Sequence, residues 1–230
     1  MKQLINDLNL EIRERISDFE NEIFPIFDGV LNASKYFNRD AIRIAWLMKE
    51  AYDDEREGGW SIPELYMNDY GKFYNSLVKG DSKTTWQPAI YVSYGIINGF
   101  AEWDDIPFIR NSPEIVKSLD NVAWINIQKL PSETREKTYK VNIINSYKKN
   151  KEILFKQLEL CKPDIIICAN TLSIILNDLE IIETGKYGGV DYVKTKNQIF
   201  INAKHPGQRG ISREKYVNEI VGCAKILLGK

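Results

Sequence analysis

The only histidine of the 230-residue chain, His205, stands in INAKHPGQRG, between an apolar run and the turn-forming pair Pro206-Gly207. Its imidazole is the one side chain whose ordinary pKa lies near neutrality, which suits it to moving a proton or polarising an oxygen. Glu50, Asp53, Asp54, Glu55 and Glu57 follow a second apolar run, IRIAWLM, and face one cation, Arg56. A carboxylate there could orient water or stabilise a developing positive charge, and a carboxylate cluster also suits Mg²⁺. Asn126 closes the run AWIN and Asn170 closes IIICAN. An amide carries two donors and an acceptor, so it can read the edge of a flat heterocycle. Each residue has a plainer alternative: a satisfied structural imidazole, a solvated acidic loop, a strand-end amide, or a helix N-cap at ANTLS.

The elements that must carry these residues alternate. Leu4, Leu8, Ile12, Ile16 and Phe19 recur at helical spacing and predict an amphipathic helix stopping near Pro25. IRIAWLM, Ile42 to Met48, reads as a strand apolar on both faces, as a central parallel strand is. Ser61 to Asp104 is aromatic and mostly helical in pattern, with WQPAIYVSYGIINGF its clearest helix. NVAWINIQKLP, Asn121 to Pro131, predicts a second buried strand, and a long helix follows from about Asn142 to Leu160. KPDIIICANTLSIIL gives a third strand with its helix, QIFINAKHPG a fourth strand, and REKYVNEIVGCAKILLGK a closing helix. Strands separated by helices imply an α/β sandwich with a parallel sheet, whose ligand site lies beyond the carboxyl ends of the strands. Lys49 and Glu50, Asn126 with Lys129, Asn170, and His205 are expected to converge on that rim.

Composition narrows the classes. A formal charge of −1 and a pI near 6.0 give no global pull toward a polyanion, so any nucleic-acid contact needs a local patch. Lys204, Arg209, Arg213 and Lys215 against Glu214 supply one. Cys161, Cys168 and Cys223 are odd in number and lack CxxC spacing, which argues against a disulfide framework, a zinc finger or a four-cysteine cluster. The charged start MKQLINDLNLEIRER and the lack of any long apolar run predict a soluble, cytoplasmic protein without a membrane span. One domain over residues 1–230 is expected, with residues 1–40 a helical extension.

Four segments resemble the uracil-DNA glycosylase superfamily. LMKEAYDD followed by GGW is similar to its first motif, in which a strand ends in G-E-A-P-G or a variant. AWINIQKLP resembles the T-N-V-V-K segment and following proline of the thermostable branch. QLELCKPDIIICANTLSIIL is similar to that branch's Q-L-x-L-x-x-P-x-x-I-x-x-L-G-x-T-A, and INAKHPGQR to its H-P-S motif. Order and spacing match from Ile42 to Lys230, while the first 40 residues and much of Ser61 to Asp120 lie outside. The resemblance implies a three-layer α/β/α sandwich around a four-stranded parallel sheet. It also implies a monofunctional glycosylase that acts, as a monomer, on DNA containing uracil or another altered base, in base-excision repair. The departures are specific. Tyr52 and Asp53 replace a Pro-Gly pair, Gly207 replaces the serine of H-P-S, and the cysteines of the thermostable branch's iron–sulfur cluster are missing, so no cofactor, metal or cluster is expected.

The chemistry assigns the parts. Breaking an N-glycosidic bond builds positive charge on the sugar and negative charge on the base. Glu50 then orients water beside the sugar, with Asp53 or Asp54 as its substitute. Asn126 pairs with the N3 hydrogen and O4 of uracil, assisted by Asn170, and Trp60 or Tyr52 offers a stacking face. His205 donates to the departing base, and Lys204, Arg209 and the backbone of Gly207 meet phosphate. Two other readings stay open: a base or nucleotide binder without catalysis, and a glycosylase for a hypermodified base in phage defence.

Overall fold

Five-residue runs without a polar side chain need cover on both faces, and two such runs, Ile44–Met48 and Ile165–Ala169, set the centre of the architecture. The computed structural model describes residues 1–37, 42–132 and 140–230. Its strands are β1 Gly29–Val30, β2 Ile44–Met48, β3 Val122–Asn126, β4 Ile165–Ala169, β5 Ile181–Tyr187, β6 Val190–Thr195 and β7 Ile199–Ala203. Its α-helices are α1 Lys2–Ile16, α2 Ala33–Tyr36, α3 Ile62–Asn68, α4 Tyr70–Phe73, α5 Lys83–Ile97, α6 Lys140–Cys161, α7 Leu172–Ile175 and α8 Arg213–Leu227.

One mixed sheet runs in the order β1-β3-β2-β4-β7-β6-β5. Its centre, β3-β2-β4-β7, is parallel. The expected four-stranded sheet is therefore corrected to seven strands among the described residues. β1 joins antiparallel at one edge and the β5–β6 hairpin at the other. A Gly188-Gly189 turn closes that hairpin, where positive φ at Gly188 suits a tight connection.

The alternation of side chains sorts the core into two layers. Ile44, Trp46 and Met48 face α5, α8 and the 3₁₀ segment Pro113–Asn121, together with Trp124, Ile167, Ala169, Ile201 and Ala203. Ala45, Leu47, Ile125, Ile166, Cys168 and Phe200 face α2, α6 and α7. Trp46 is fully buried and donates its indole N–H to Ser93 Oγ at 3.1 Å. Trp86, in the first turn of α5, stacks on Trp124 of β3 with ring centroids 4.0 Å apart and an interplanar angle of 15°.

The opening helix stops at Ile16, not near Pro25, because Ser17 turns extended and the Asp18 carboxylate accepts the backbone N–H and side-chain amide of Asn21. Phe19 is left exposed. α1 packs Leu8, Ile12 and Ile16 on Ile153 of α6. Residues 1–37 are more than the expected helical extension, since β1 extends the sheet and Asp28 is buried beside it. No helix among the described residues is long and apolar enough to cross a membrane. All three cysteines are buried and free, and burial pushes Cys161 and Cys168 up to about 12.

Candidate functional site at the carboxyl rim of the parallel strands

Four parallel strands place their carboxyl ends on one rim by construction. β2 pairs Met48 with Asn126 of β3, and β4 pairs Ala169 with Ala203 of β7. The chain leaves β2 toward β3 on one side and leaves β4 toward β7 on the other, so connections diverge between β2 and β4. That is where open α/β sheets take ligands. Asn126 and His205 flank this point. β3 and β7 are three strand spacings apart, roughly 14 Å at about 4.8 Å each.

Asn126 is the last residue of β3 and 1% exposed. It lies two residues beyond Trp124, so its side chain projects on the α5 face, past the Trp86–Trp124 stack. Neither Oδ1 nor Nδ2 has a hydrogen-bond partner among the described residues. A strand-end cap would have used one of them, and no described backbone group is capped by this amide. Burying an unpaired amide costs about 1–3 kcal/mol, which marks it as a group needing explanation.

Its backbone is held firmly. The N–H of Asn126 donates to Asp28 Oδ2 at 2.8 Å, and Asp28 Oδ1 accepts Lys129 Nζ at 2.6 Å and Gln157 Nε2 at 2.9 Å. Burial pulls Lys129 below the ordinary lysine value while the Asp28 carboxylate pulls the other way. Lys129 was legible as a polar residue at the end of its strand. Asp28 and Gln157 were not, because each lies far along the chain from the group it serves.

His205 follows β7 by two residues and is half-buried. Its Nδ1 accepts the N–H of Gly207 at 3.1 Å, which leaves the proton of the neutral ring on Nε2. Burial, reinforced by the Lys49 ammonium, pushes its pKa down to about 4. The ring is thus a neutral donor at physiological pH. A carbon placed at the Cβ position of Gly207 would lie 3.2 Å from Thr85 Oγ1, so the first turn of α5 abuts the His-Pro-Gly turn.

The first-motif loop divides its acids. Glu50 is half-buried, two residues past β2, and accepts a 3.4 Å hydrogen bond from the Tyr52 hydroxyl. Asp53 instead accepts the N–H of Gly58 at 2.8 Å and closes the loop. Gly58 has φ +67°, and a Cβ there would meet the Phe24 carbonyl oxygen at 1.9 Å, so the turn admits only glycine. Asp54, Glu55 and Glu57 are exposed, as a solvated loop. Among the described residues no three His, Cys, Asp or Glu side chains gather into a metal set.

The remaining candidates fare unequally. Trp60 is half-buried against the core layer under α5, and Tyr52 is exposed at the rim beside Glu50. Asn170 is exposed with a left-handed backbone at φ +58°, its N–H bonded to the Ala203 and Cys168 carbonyls. The adjacent Thr171 is buried instead and donates to the Leu47 carbonyl at 2.8 Å. Gly207 gives its N–H to His205, so the expected open phosphate donor is corrected to an internal support for the ring. Arg209 is exposed. Lys204 is exposed and lines a cleft of about 110 Å³ with Asn202, Lys215 and Glu219 beside α8. No model of a known protein family matches the chain, and no curated protein matches it.

Proposed function

We propose that this chain is a monofunctional DNA glycosylase of the uracil-DNA glycosylase type, hydrolysing the N-glycosidic bond of uracil or another altered base in DNA. The observation that carries the reading is the Asn126 amide, buried at the carboxyl rim with neither its donor nor its acceptor paired among the described residues. A site built to pair with a substrate's polar edge leaves those groups unsatisfied until the substrate arrives, and rejects analogues that fail to pair. The N3 hydrogen and O4 of uracil match an amide acceptor and donor.

The other residues fit the same reaction. Water attacks C1′ of the sugar as the bond to the base breaks, and the base leaves with the bonding pair. Glu50 orients that water and offsets the charge on the sugar. The Nε2–H of His205 meets the oxygen on which negative charge develops, and a neutral ring with a lowered pKa keeps its proton there. Tyr52 or Trp60 stacks on the extruded base, and Lys204 and Arg209 contact phosphate.

One observation favours a second reading, a base binder without catalysis. Asp53 is committed to Gly58 and so does not stand in for Glu50 as the water-orienting acid, which leaves the altered first motif with fewer carboxylates for catalysis. Incubation with single- and double-stranded oligonucleotides carrying a panel of altered bases, followed by alkaline cleavage, decides between them when run beside a binding titration. Strand breaks at one base support the glycosylase and name its substrate, a hypermodified base included. Tight binding without breaks supports the binder. Neither binding nor breaks on any oligonucleotide overturns both.

A further inference from the structure

A buried ion pair is a poor source of stability, since well-packed apolar residues in its place are often neutral or better. Asp28 and Lys129 nevertheless form one, with side chains 0% and 3% exposed and Nζ 2.6 Å from Oδ1. They are 101 residues apart in the chain. Gln157 of α6 completes the group: its Oε1 accepts Lys129 Nζ at 2.7 Å, and its Nε2 donates to Asp28 Oδ1 at 2.9 Å and to the Asp28 carbonyl at 3.1 Å. The Lys129 carbonyl in turn accepts Ile26 N–H at 2.9 Å. Three segments are thus tied together where β3 ends.

The backbone geometry gives the tie its purpose. Alternate N–H groups of a strand face the same neighbour. Ile127 donates to Met48 of β2 at 3.0 Å, so the N–H of Asn126 faces the β1 side. β1 pairs only as far as Gly29 with Trp124, which leaves Asn126 without a ladder partner there. The Asp28 carboxylate supplies it at 2.8 Å. Gly29 has φ +130°, and an atom at its Cβ position would stand 3.2 Å from Gln157 Nε2, so glycine lets the amide come close to the turn. All of this restrains the backbone of a residue whose own side chain bonds to nothing among the described residues.

We propose that Asp28, Lys129 and Gln157 form a buried positioning device that aims the base-reading amide of Asn126. The inference rests on the role given to Asn126 above. Asp28 fixes the strand end, Lys129 holds one oxygen of that carboxylate so that the other faces Asn126, and Gln157 locks both. None of the three touches the base.

The test compares three variants of the full chain in single-turnover excision, reading the ratio of uracil to cytosine excision and checking each fold by circular dichroism. Asp28→Leu with Lys129→Met removes both charges together and deletes the acceptor. The expected result is a folded protein whose discrimination falls about a hundredfold, the scale of a reacting group misplaced by an ångström. Asp28→Asn with Lys129→Gln keeps an acceptor for Asn126 without charge, and its discrimination is expected to remain within a few fold of wild type. Gln157→Met, which leaves no lone charge, keeps the question open to refutation if the first pair does not fold, with a loss of roughly tenfold expected. Folded Gln157→Met or Asp28→Leu/Lys129→Met protein with wild-type discrimination overturns the device. A wild-type protein that neither excises nor binds any base overturns the reading of Asn126 and the device with it.

Discussion

Gly207 donates its backbone N–H to Nδ1 of His205, two residues earlier, and so commits the single imidazole of the chain to the Nε2–H tautomer. The turn needs no third group to do so, because Pro206 fixes the backbone between them. In the unfolded chain the ring takes up a proton near pH 6.5, in the folded protein only near 4. Between those values the unfolded state binds more protons, so acidification favours unfolding. The stability linked to this group is complete above about pH 6.5 and is lost as the pH falls toward 4. His205→Gln is therefore expected to flatten the loss of stability across that window, measured by urea unfolding at several pH values. Equal slopes for variant and wild type would mean that the ring is not held neutral. In excision assays, His205→Ala should lose roughly a hundred- to thousandfold in single-turnover rate, the usual cost of a preorganised donor. Its melting temperature should stay within a few degrees.

Glu50 and Asp53 separate by the same logic. The Asp53 carboxylate shapes the loop through Gly58, and an asparagine oxygen can accept the same N–H. Asp53→Asn should keep excision within a few fold of wild type, whereas Glu50→Gln should lose about a hundred- to ten-thousandfold, as the removal of a general base does. The reverse ordering in single-turnover rates would return the catalytic role to Asp53.

DNA affinity should depend only shallowly on salt. With the N–H of Gly207 turned inward, the phosphate patch reduces to side chains such as Arg209 and Lys204. About two to four phosphate contacts predict a slope of roughly −2 to −4 in log K against log salt. Arg209→Ala should reduce its magnitude by about one, and a slope near zero would point to a free nucleoside or nucleotide as the ligand.

How far the sequence foretold this rim depends on the range of the interactions involved. IAWLM and IIICA are apolar at every position because both faces are buried, and that signal is local enough to read directly. The β5–β6 hairpin escaped because β5 is exposed along most of its length and carries no apolar run, although Gly-Gly between two polar-apolar stretches is a hairpin signal in itself. β1 is two residues long and leaves no period to detect. The types and order of Glu50, Asn126 and His205 were readable. The commitment of Asp53 to its own loop and of Gly207 to its own histidine was not, because it depends on φ/ψ values that residue types alone do not set. The service of Asp28 to Asn126 depends on a contact 98 residues away.

Asn126 allows function and stability to be set against each other in one residue. Its side-chain amide is buried and forms no hydrogen bond among the described residues, so removing it forfeits only packing there. Asn126→Leu, close in volume, leaves the backbone N–H bond to Asp28 intact and replaces an unsatisfied polar group by an apolar one. Stability should rise by about 1–3 kcal/mol in urea unfolding, the cost of an unpaired buried amide. Uracil excision should fall at the same time. An amide that capped the strand would give the opposite sign, because its loss would orphan a backbone partner. Asn126→Asp completes the argument: it alters the donors and acceptors facing the base, so excision of uracil should weaken and relative activity on cytosine should rise. A more stable Asn126→Leu protein that still excises uracil at the wild-type rate would leave the orphaned amide as a packing defect and remove it from the site.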